Sequence, residues 1–260
     1  MTRRQGIVFA AHGERHVIAA RRAARSLRPF AGDLPIDLFA DRPVSDPVFA
    51  RVHRLYGASH RPKIEALFRS RFARTLYLDN DIIAVGDITD IFALLDRHHI
   101  LGAHESYRNS DSSLIMTGPN LPPAFPEVNS GVLAIRRSLR MRWFLYRWRK
   151  RFRASGVRLD QPALREMLWH SRLRLGILPP DYNLMHTRSI VAMGDWMTAP
   201  RLLHVTWLLN DGRDPGDPET PFDPAAILSA PVYKRLRELI DGDRTRARAE
   251  PRRPDKFEVD

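Results

Sequence analysis

The stretch Thr75–Val85, TLYLDNDIIAV, sets two aspartates inside a run of strand-forming apolar residues. Leu76, Tyr77, Leu78, Ile82, Ile83 and Val85 have the character of a strand covered on both faces. A carboxylate buried there without a partner is strongly unfavourable, and two that share a face repel each other. Residues i and i+2 of an extended chain point the same way, so Asp79 and Asp81 are neighbours and need positive charge between them. The first apolar run ends at Leu78, which places the pair at the carboxyl end of a strand. In an open α/β sheet that edge is where ligands bind.

The surrounding pattern predicts such a sheet. Gly6–Ala11 (GIVFAA) reads as a strand, His16–Arg28 as a helix, Pro35–Asp41 as a second strand and Pro47–Phe72 as a mostly helical stretch. The strand carrying the aspartates follows, then a short helix at Asp90–His98. Strands alternating with helices imply an α/β fold with a mostly parallel central sheet flanked by helices. Later strands are expected at His99–Glu105, Ser130–Ile135, Leu173–Pro179 and Arg201–Trp207, with antiparallel members among them, and a helix at Asp160–Ser171. Gly118–Pro126 and Asp211–Pro224 read as loops. With 260 residues, 43% of them hydrophobic, the chain can build a substantial core; the reading is one domain over residues 1–240 and a charged, poorly ordered tail over 241–260.

Several chemistries are excluded. There is no cysteine, hence no disulfide framework, zinc–thiolate site or thiol nucleophile. HGERH (His12–His16) lacks the glutamate directly after the first histidine and the spacing of the zinc-protease signature. No apolar run approaches the roughly 18 residues of a membrane span, and GIVFAA is too short for a signal-peptide core, so the expectation is a cytoplasmic protein. The acidic pair then has two readings: a hard divalent cation that in turn binds a diphosphate, or an acidic turn whose side chains cap backbone amides.

In this light FARTLYLDNDIIAVGDITDIFALLD (Phe72–Asp96) resembles the metal-binding strand, with its Asp-x-Asp motif, of the nucleotide-diphospho-sugar transferases of the GT-A fold. The nearest likeness is to glycosyltransferase family 8, the glycogenin-like and lipopolysaccharide glycosyltransferases. VNSGVLAI (128–135), LDQPAL (159–164), LPPDYNLM (178–185) and LLHVTW (202–207) continue it in order. The resemblance implies metal-dependent transfer of a hexose from a nucleotide sugar, a UDP-sugar above all, to a glycan or lipid-linked acceptor with retention at the anomeric carbon. It assigns Asp79, Asp81 and His204 to the metal, Mn²⁺ or Mg²⁺, the imidazole favouring Mn²⁺. It places Ala10, Ala11, His12, Lys63, Asp79, Asn80, Asn129 and Ser130 on the donor, with Gly131 allowing close approach and Arg71 as a rival to Lys63. Asp160 and Gln161 become the catalytic candidates, with a helix cap as the plain alternative for Asp160, and Asp181, Tyr182 and Asn183 line the acceptor side. One departure stands out: the lysine such enzymes carry after the late histidine is missing from TWLLNDGRD, where Arg213 is the available cation.

The formal net charge is +12, and Ala134–Arg153 alone holds nine Arg or Lys and no acid, leaving +3 for the rest. Met141, Leu145, Trp148 and Phe152 recur at helical spacing, so this segment is a helix with one apolar stripe. Its arginines are either simply solvated or, with Trp143 and Tyr146 beside them, meet an anionic membrane surface or an anionic glycan or lipid acceptor through residues 136–153; no nucleic-acid motif accompanies them. The rival functions are a nucleotidyltransferase, disfavoured because AAHGERH is not a Gly-rich basic loop, and a catalytically inactive polyanion-binding protein.

Overall fold

The computed structural model describes residues 4–57, 61–114, 121–209 and 213–246. The elements in chain order are strand β1 (Gln5–Ala11), helix α1 (Glu14–Ala31), β2 (Ile36–Ala40), β3 (Arg51–Arg54), α2 (Lys63–Arg69), β4 (Arg74–Leu78) and β5 (Ile82–Ala84). Then come the single turn α3 (Ile91–Leu94), β6 (Ile100–His104), the single turn α4 (Asp111–Leu114), β7 (Val128–Arg136), α5 (Leu139–Ser155), α6 (Gln161–Trp169) and β8 (Leu175–Leu178). β9 (Leu202–His204), the single turn α7 (Pro224–Ile227) and α8 (Ala230–Gly242) complete the described chain.

Seven strands form one sheet in the order β3-β2-β1-β4-β7-β6-β8, and β5 pairs with β9 in a separate two-stranded ribbon. Only β7 runs against the others in the large sheet, pairing antiparallel with both β4 and β6. The sheet is therefore mostly parallel, as the sequence predicts. β2 and β4 flank β1 on opposite sides, so the strand order reverses beside β1 and opens a crevice at the carboxyl ends of β1 and β4.

Every strand residue from Gly6 to Ala11 and from Thr75 to Leu78 is buried, because both faces of the sheet are covered. One face carries α1, the β5–β9 ribbon and α8, with Phe9, Leu27, Leu38, Leu203 and Leu236 among the packed residues. The other carries α2, α5 and α6, packed through Phe39, Ile64, Tyr77, Trp148 and Leu164. The stripe Met141, Leu145, Trp148 and Phe152 of α5 is buried as its spacing predicts. That helix starts on Ser138, whose Oγ accepts from the Met141 amide at 3.0 Å, and stops at Gly156, which takes φ +67°.

Two readings are corrected. Pro47–Phe72 is not mostly helical: it contributes the edge strand β3 and only the short helix α2. The aspartates do not sit within one strand but on the turn between β4 and β5, which belong to different sheets. The helix α8, not anticipated, buries Val232, Leu236 and Leu239. Beyond it Asp243 accepts from the Ala199 amide at 3.0 Å and Arg246 donates to the Val85 carbonyl at 2.8 Å. The remainder of the expected tail, and parts of the two expected loops at 118–126 and 211–224, lie outside the described residues.

Arg71, the sequence's rival to Lys63, is occupied elsewhere. Its Nε and Nη2 donate to the Asp37 carboxylate at 2.7 and 2.9 Å, and His53 Nε2 lies 2.9 Å from the same group. Burial pushes the Asp37 carboxyl up, but the hydrogen bonds from His53 and Arg71 outweigh it and hold it below the usual carboxylate range. A carboxyl whose pKa is lower folded than unfolded stabilises the fold above the unfolded value of roughly 4 and loses that contribution as pH falls through the folded one. Asp37→Asn should therefore cost about 3–5 kcal/mol at neutral pH, as expected for breaking a buried pair, in urea unfolding monitored by circular dichroism. The gap from wild type should narrow below about pH 4.

Candidate active site

Leu78 ends β4, and the chain turns through Asp79, Asn80 and Asp81 into β5. The Asp79 amide donates to the Gly131 carbonyl of β7 at 2.8 Å, and the Asp81 carbonyl accepts from the Val205 amide at 2.9 Å. The turn is thereby tied to both the sheet and the ribbon. Each acidic side chain faces a cationic group. Asp79 accepts from Lys63 Nζ at 3.1 Å and from the Tyr77 hydroxyl at 2.7 Å. Asp81 Oδ1 lies 3.3 Å from His204 Nε2 but makes no aligned hydrogen bond. Among the described residues neither carboxylate accepts from a backbone amide, which disposes of the turn-cap reading.

His204 arrives from β9, whose antiparallel register sets it opposite Ile82. Its Nδ1 lies 3.0 Å from Asn183 Oδ1 and donates to it, leaving Nε2 directed at Asp81. The ring has room because residue 131 is glycine. A Cβ there would lie 2.5 Å from His204 Cε1 and 2.8 Å from Asn129 Oδ1. Burial pushes the His204 imidazole down, but the charges of Asp81 and Asp79 outweigh it and raise the group above its ordinary value. For Asp79, burial raises the carboxyl while Lys63, His204 and Tyr77 pull it below the usual range.

The other half of the site is assembled around Lys63, the first residue of α2 and 3% exposed. Its Nζ donates to Ser130 Oγ at 2.9 Å and to the Ser130 carbonyl at 3.1 Å, and lies 3.9 Å from Asp160 Oδ2. Asp160 precedes α6 without capping it: Oδ1 accepts from Ser130 Oγ at 3.3 Å, and Oδ2 is buried with no hydrogen-bond partner. The Trp148 indole of α5 fixes the Asp160 carbonyl at 3.1 Å. Gln161 Oε1 accepts from the Ser130 amide at 3.2 Å and its Nε2 donates to Glu105 Oε2 at 2.8 Å. The same oxygen accepts from Asn129 Nδ2 at 2.8 Å, while Asn129 Oδ1 accepts from the Gly131 amide at 2.8 Å.

The structure thus brings Lys63, Asp79, Asn129, Ser130, Asp160 and Gln161 into one network, with Asp81 and His204 on its far side. Asn80 joins it to β1, donating to the Ala10 carbonyl at 3.0 Å, with Ala10 and Ala11 buried beside it. His12 stands apart, half exposed, with Nδ1 4.0 Å from Asp41. Arg213 stacks on Trp207 at 4.0 Å. Asp181 lies 3.9 Å from Arg201 and Tyr182 donates to Asp90, so of those three only Asn183 touches this cluster. Sequence reasoning misses Glu105, Tyr77 and the supporting role of Asn183. It also misses His16 in the first turn of α1, whose imidazole burial holds below its ordinary value against the charges of Asp81 and Asp79. Glu105 had a signal, since it ends the apolar run HILGAH as Asp79 ends TLYL.

These residues suit a cation. Asp79, Asp81 and His204 each present a donor atom, all within 4.8 Å of one another. Asp81 Oδ1 and Asp160 Oδ2 are buried oxygens without hydrogen bonds. Three carboxylates, those of Asp79, Asp81 and Asp160, lie near one ammonium and one imidazole. Carboxylate oxygens with a single imidazole are the donor set of a hard to borderline divalent ion.

No family model matches the sequence, and no curated protein matches it either. Solved structures do. The glycosyltransferase GlyE of Streptococcus pneumoniae TIGR4 aligns over 92% of this chain and 64% of its own at a TM-score of 0.59 and 18% identity, so this chain spans a little under two thirds of its length. The galactosyltransferase LgtC, solved with donor and acceptor sugar analogues, aligns over 95% of this chain and 98% of its own at a TM-score of 0.56 and 13% identity. The fold is that of the GT-A glycosyltransferases. The bifunctional glycosyltransferase WbbM shares it over 79% of this chain and 46% of its own, at a TM-score of 0.54 and 12% identity. LgtC has also been solved as an active-site mutant with glutamate in place of a glutamine. Within this GT-A fold the acidic cluster occupies the crevice beside β1 at the carboxyl edge of the sheet.

Gly131→Ala should push His204 off Asp81 while leaving the sheet intact. The expected outcome is Mn²⁺ affinity about 10–100-fold weaker than wild type by electron paramagnetic resonance titration, with an unchanged far-ultraviolet dichroism spectrum.

Proposed function

We propose that this chain is a cytoplasmic glycosyltransferase that moves a hexose from a nucleotide-diphosphate sugar, a UDP-sugar, to a glycan or lipid-linked acceptor with retention. The observation that carries the reading is the Asp79–Asp81–His204 set at the carboxyl edge of a GT-A sheet, Asp81 and His204 buried and Asp79 half-buried, with an unsatisfied carboxylate oxygen facing an imidazole. Asp79, Asp81 and His204 would hold Mn²⁺, or Mg²⁺ in its place. A divalent cation bound there supplies positive charge to the diphosphate leaving group.

The chain's own residues do the rest. Ala10, Ala11 and His12 line the end of β1, where a nucleoside would lie, and Asn80 fixes that segment through the Ala10 carbonyl. Lys63 lies between Asp79 and Asp160 with its three N–H groups taken up by Asp79 and Ser130, so it would meet a sugar phosphate by exchanging one of these bonds. Asn129 and Ser130 would face the donor hexose. Asp160 presents an oxygen that accepts no hydrogen bond, and Glu105 orients Gln161. The LgtC active-site glutamine variant is a parallel for a working glutamine at such a site. In the reaction the acceptor oxygen bonds to the anomeric carbon as the bond to the diphosphate breaks on the same face. The acceptor proton passes to the departing phosphate oxygen, and Asp160 and Gln161 steady the positive charge that develops on the sugar. No described helix is long and apolar enough to cross a membrane, and the reading includes peripheral contact with an anionic membrane through the basic helix.

The test is release of UDP from UDP-hexoses with Mn²⁺. Wild type should release UDP, chelation should stop it, and Asp81→Asn should lower the rate about a hundredfold or more. Release of pyrophosphate from UTP and a hexose 1-phosphate, with no UDP released from the UDP-hexoses, would make the chain a nucleotidyltransferase. Absence of both products across a panel of nucleotide sugars, with Mn²⁺ and UDP giving no thermal stabilisation, would leave a catalytically inactive binding protein.

A further inference from the structure

The helix α5 carries seven basic residues and no acidic one, and its apolar side chains fall on two opposite faces. Met141, Phe144, Leu145, Trp148 and Phe152 face the sheet. Leu139, Trp143 and Tyr146, at positions i, i+4 and i+7, form a second stripe that faces away from it; they are 86%, 59% and 41% exposed. Trp143 and Tyr146 stack on each other, ring centroids 5.5 Å apart and planes 22° apart, so the two rings form one aromatic unit on the exposed side of the helix. Arg140 and Arg147 flank the stripe on one side and Arg142 and Arg153 on the other, with Lys150 continuing its line one turn past Tyr146. Of the basic residues on this helix only Arg151 makes an ion pair among the described residues, with Glu166 at 2.8 Å.

We propose that this outward face of α5 is an interfacial anchor that lays the protein on an anionic phospholipid bilayer, with Leu139, Trp143 and Tyr146 entering the headgroup region and the arginines on either side paired with lipid phosphates. An apolar strip with amphipathic aromatics in the middle and long basic side chains at its margins matches the graded polarity of a bilayer surface. Aromatic rings of this kind settle at the headgroup level. A second copy of the same face would be repelled by unbalanced like charge. A nucleic acid would use the arginines but leave the exposed Leu139 in water. The same helix also meets the candidate site from its buried side, where Trp148 donates to the Asp160 carbonyl at 3.1 Å. The assignment deepens the membrane contact in the proposed function but stands on this surface alone, since vesicle binding needs neither donor nor metal.

The experiment is sedimentation of the purified full chain with vesicles of phosphatidylcholine alone or mixed with phosphatidylglycerol, at low and high salt. Wild type should bind the mixed vesicles and lose most of that binding at high salt. Arg142→Gln with Arg147→Gln and Arg153→Gln, and separately Leu139→Ser with Trp143→Ser, should each lower partitioning at least tenfold. UDP release measured without vesicles should stay at the wild-type rate in both variants, and thermal midpoints should stay within a few degrees. Loss of quenching by bromine-labelled lipids in Trp143→Phe places that ring in the bilayer. Equal binding to both vesicle types, partitioning indifferent to the serine pair, or tighter binding to RNA than to the mixed vesicles would overturn the assignment. A catalytically silent protein that still binds the vesicles in this pattern would sink the enzyme reading and leave the anchor standing.

Discussion

Negative charge confined to the end of a covered strand has to be balanced locally, because neither the sheet nor the helices above it offer water in quantity. Here the balance comes from separate parts of the chain. α2 delivers Lys63 to Asp79, and β9 delivers His204 to Asp81. Neither arrives by accident of a loop: Lys63 opens a helix whose Ile64, Ala66 and Leu67 are packed against the sheet, and His204 ends a strand paired with β5. The reversal of β7 matters for the same reason. Running against its neighbours, it brings its beginning rather than its end to the carboxyl edge, so Asn129, Ser130 and Gly131 stand beside the aspartates with backbone groups to offer.

What the sequence reveals about this arrangement depends on whether a residue's role leaves a mark on local pattern. Asp79 and Asp81 are conspicuous because carboxylates are out of place after Leu76-Tyr77-Leu78. Asp160 and Gln161 could be named only by resemblance, since an acidic residue before a helix is ordinarily a cap; the structure shows this one not capping. Tyr77 is invisible in advance: its ring satisfies the strand pattern completely, and only the fold reveals that its hydroxyl ends on Asp79. Asn183 is named by resemblance for the acceptor side, but its bond to His204, 21 positions away, leaves no mark on local pattern.

The fold was legible where hydrophobic runs were long and illegible where they were short. β1, β2 and β4 are covered on both faces and announce themselves; β3, the edge strand RVHR, carries exposed arginines and half-buried Val52 and His53, which blur any period of two. The ribbon strand β5 escapes because it follows β4 after only three residues, and a strand that changes sheets reads in one dimension as a strand that continues. α8 has a plain helical stripe in Val232, Leu236 and Leu239, but it follows an acidic, Pro-rich segment whose composition speaks louder.

That change of sheets has a mechanical side. Asp79 follows the last residue of β4 in the main sheet, whereas Asp81 leads into the ribbon and His204 lies within it, so the three donor atoms straddle a seam. The ribbon's far end is latched in turn by Arg201, which donates to the Asp87 carbonyl, and by Arg246, which donates to the Val85 carbonyl. Whatever is gripped between the carboxylates also rivets two separately hydrogen-bonded layers together, and the ease with which they part becomes a gauge of whether the grip is filled.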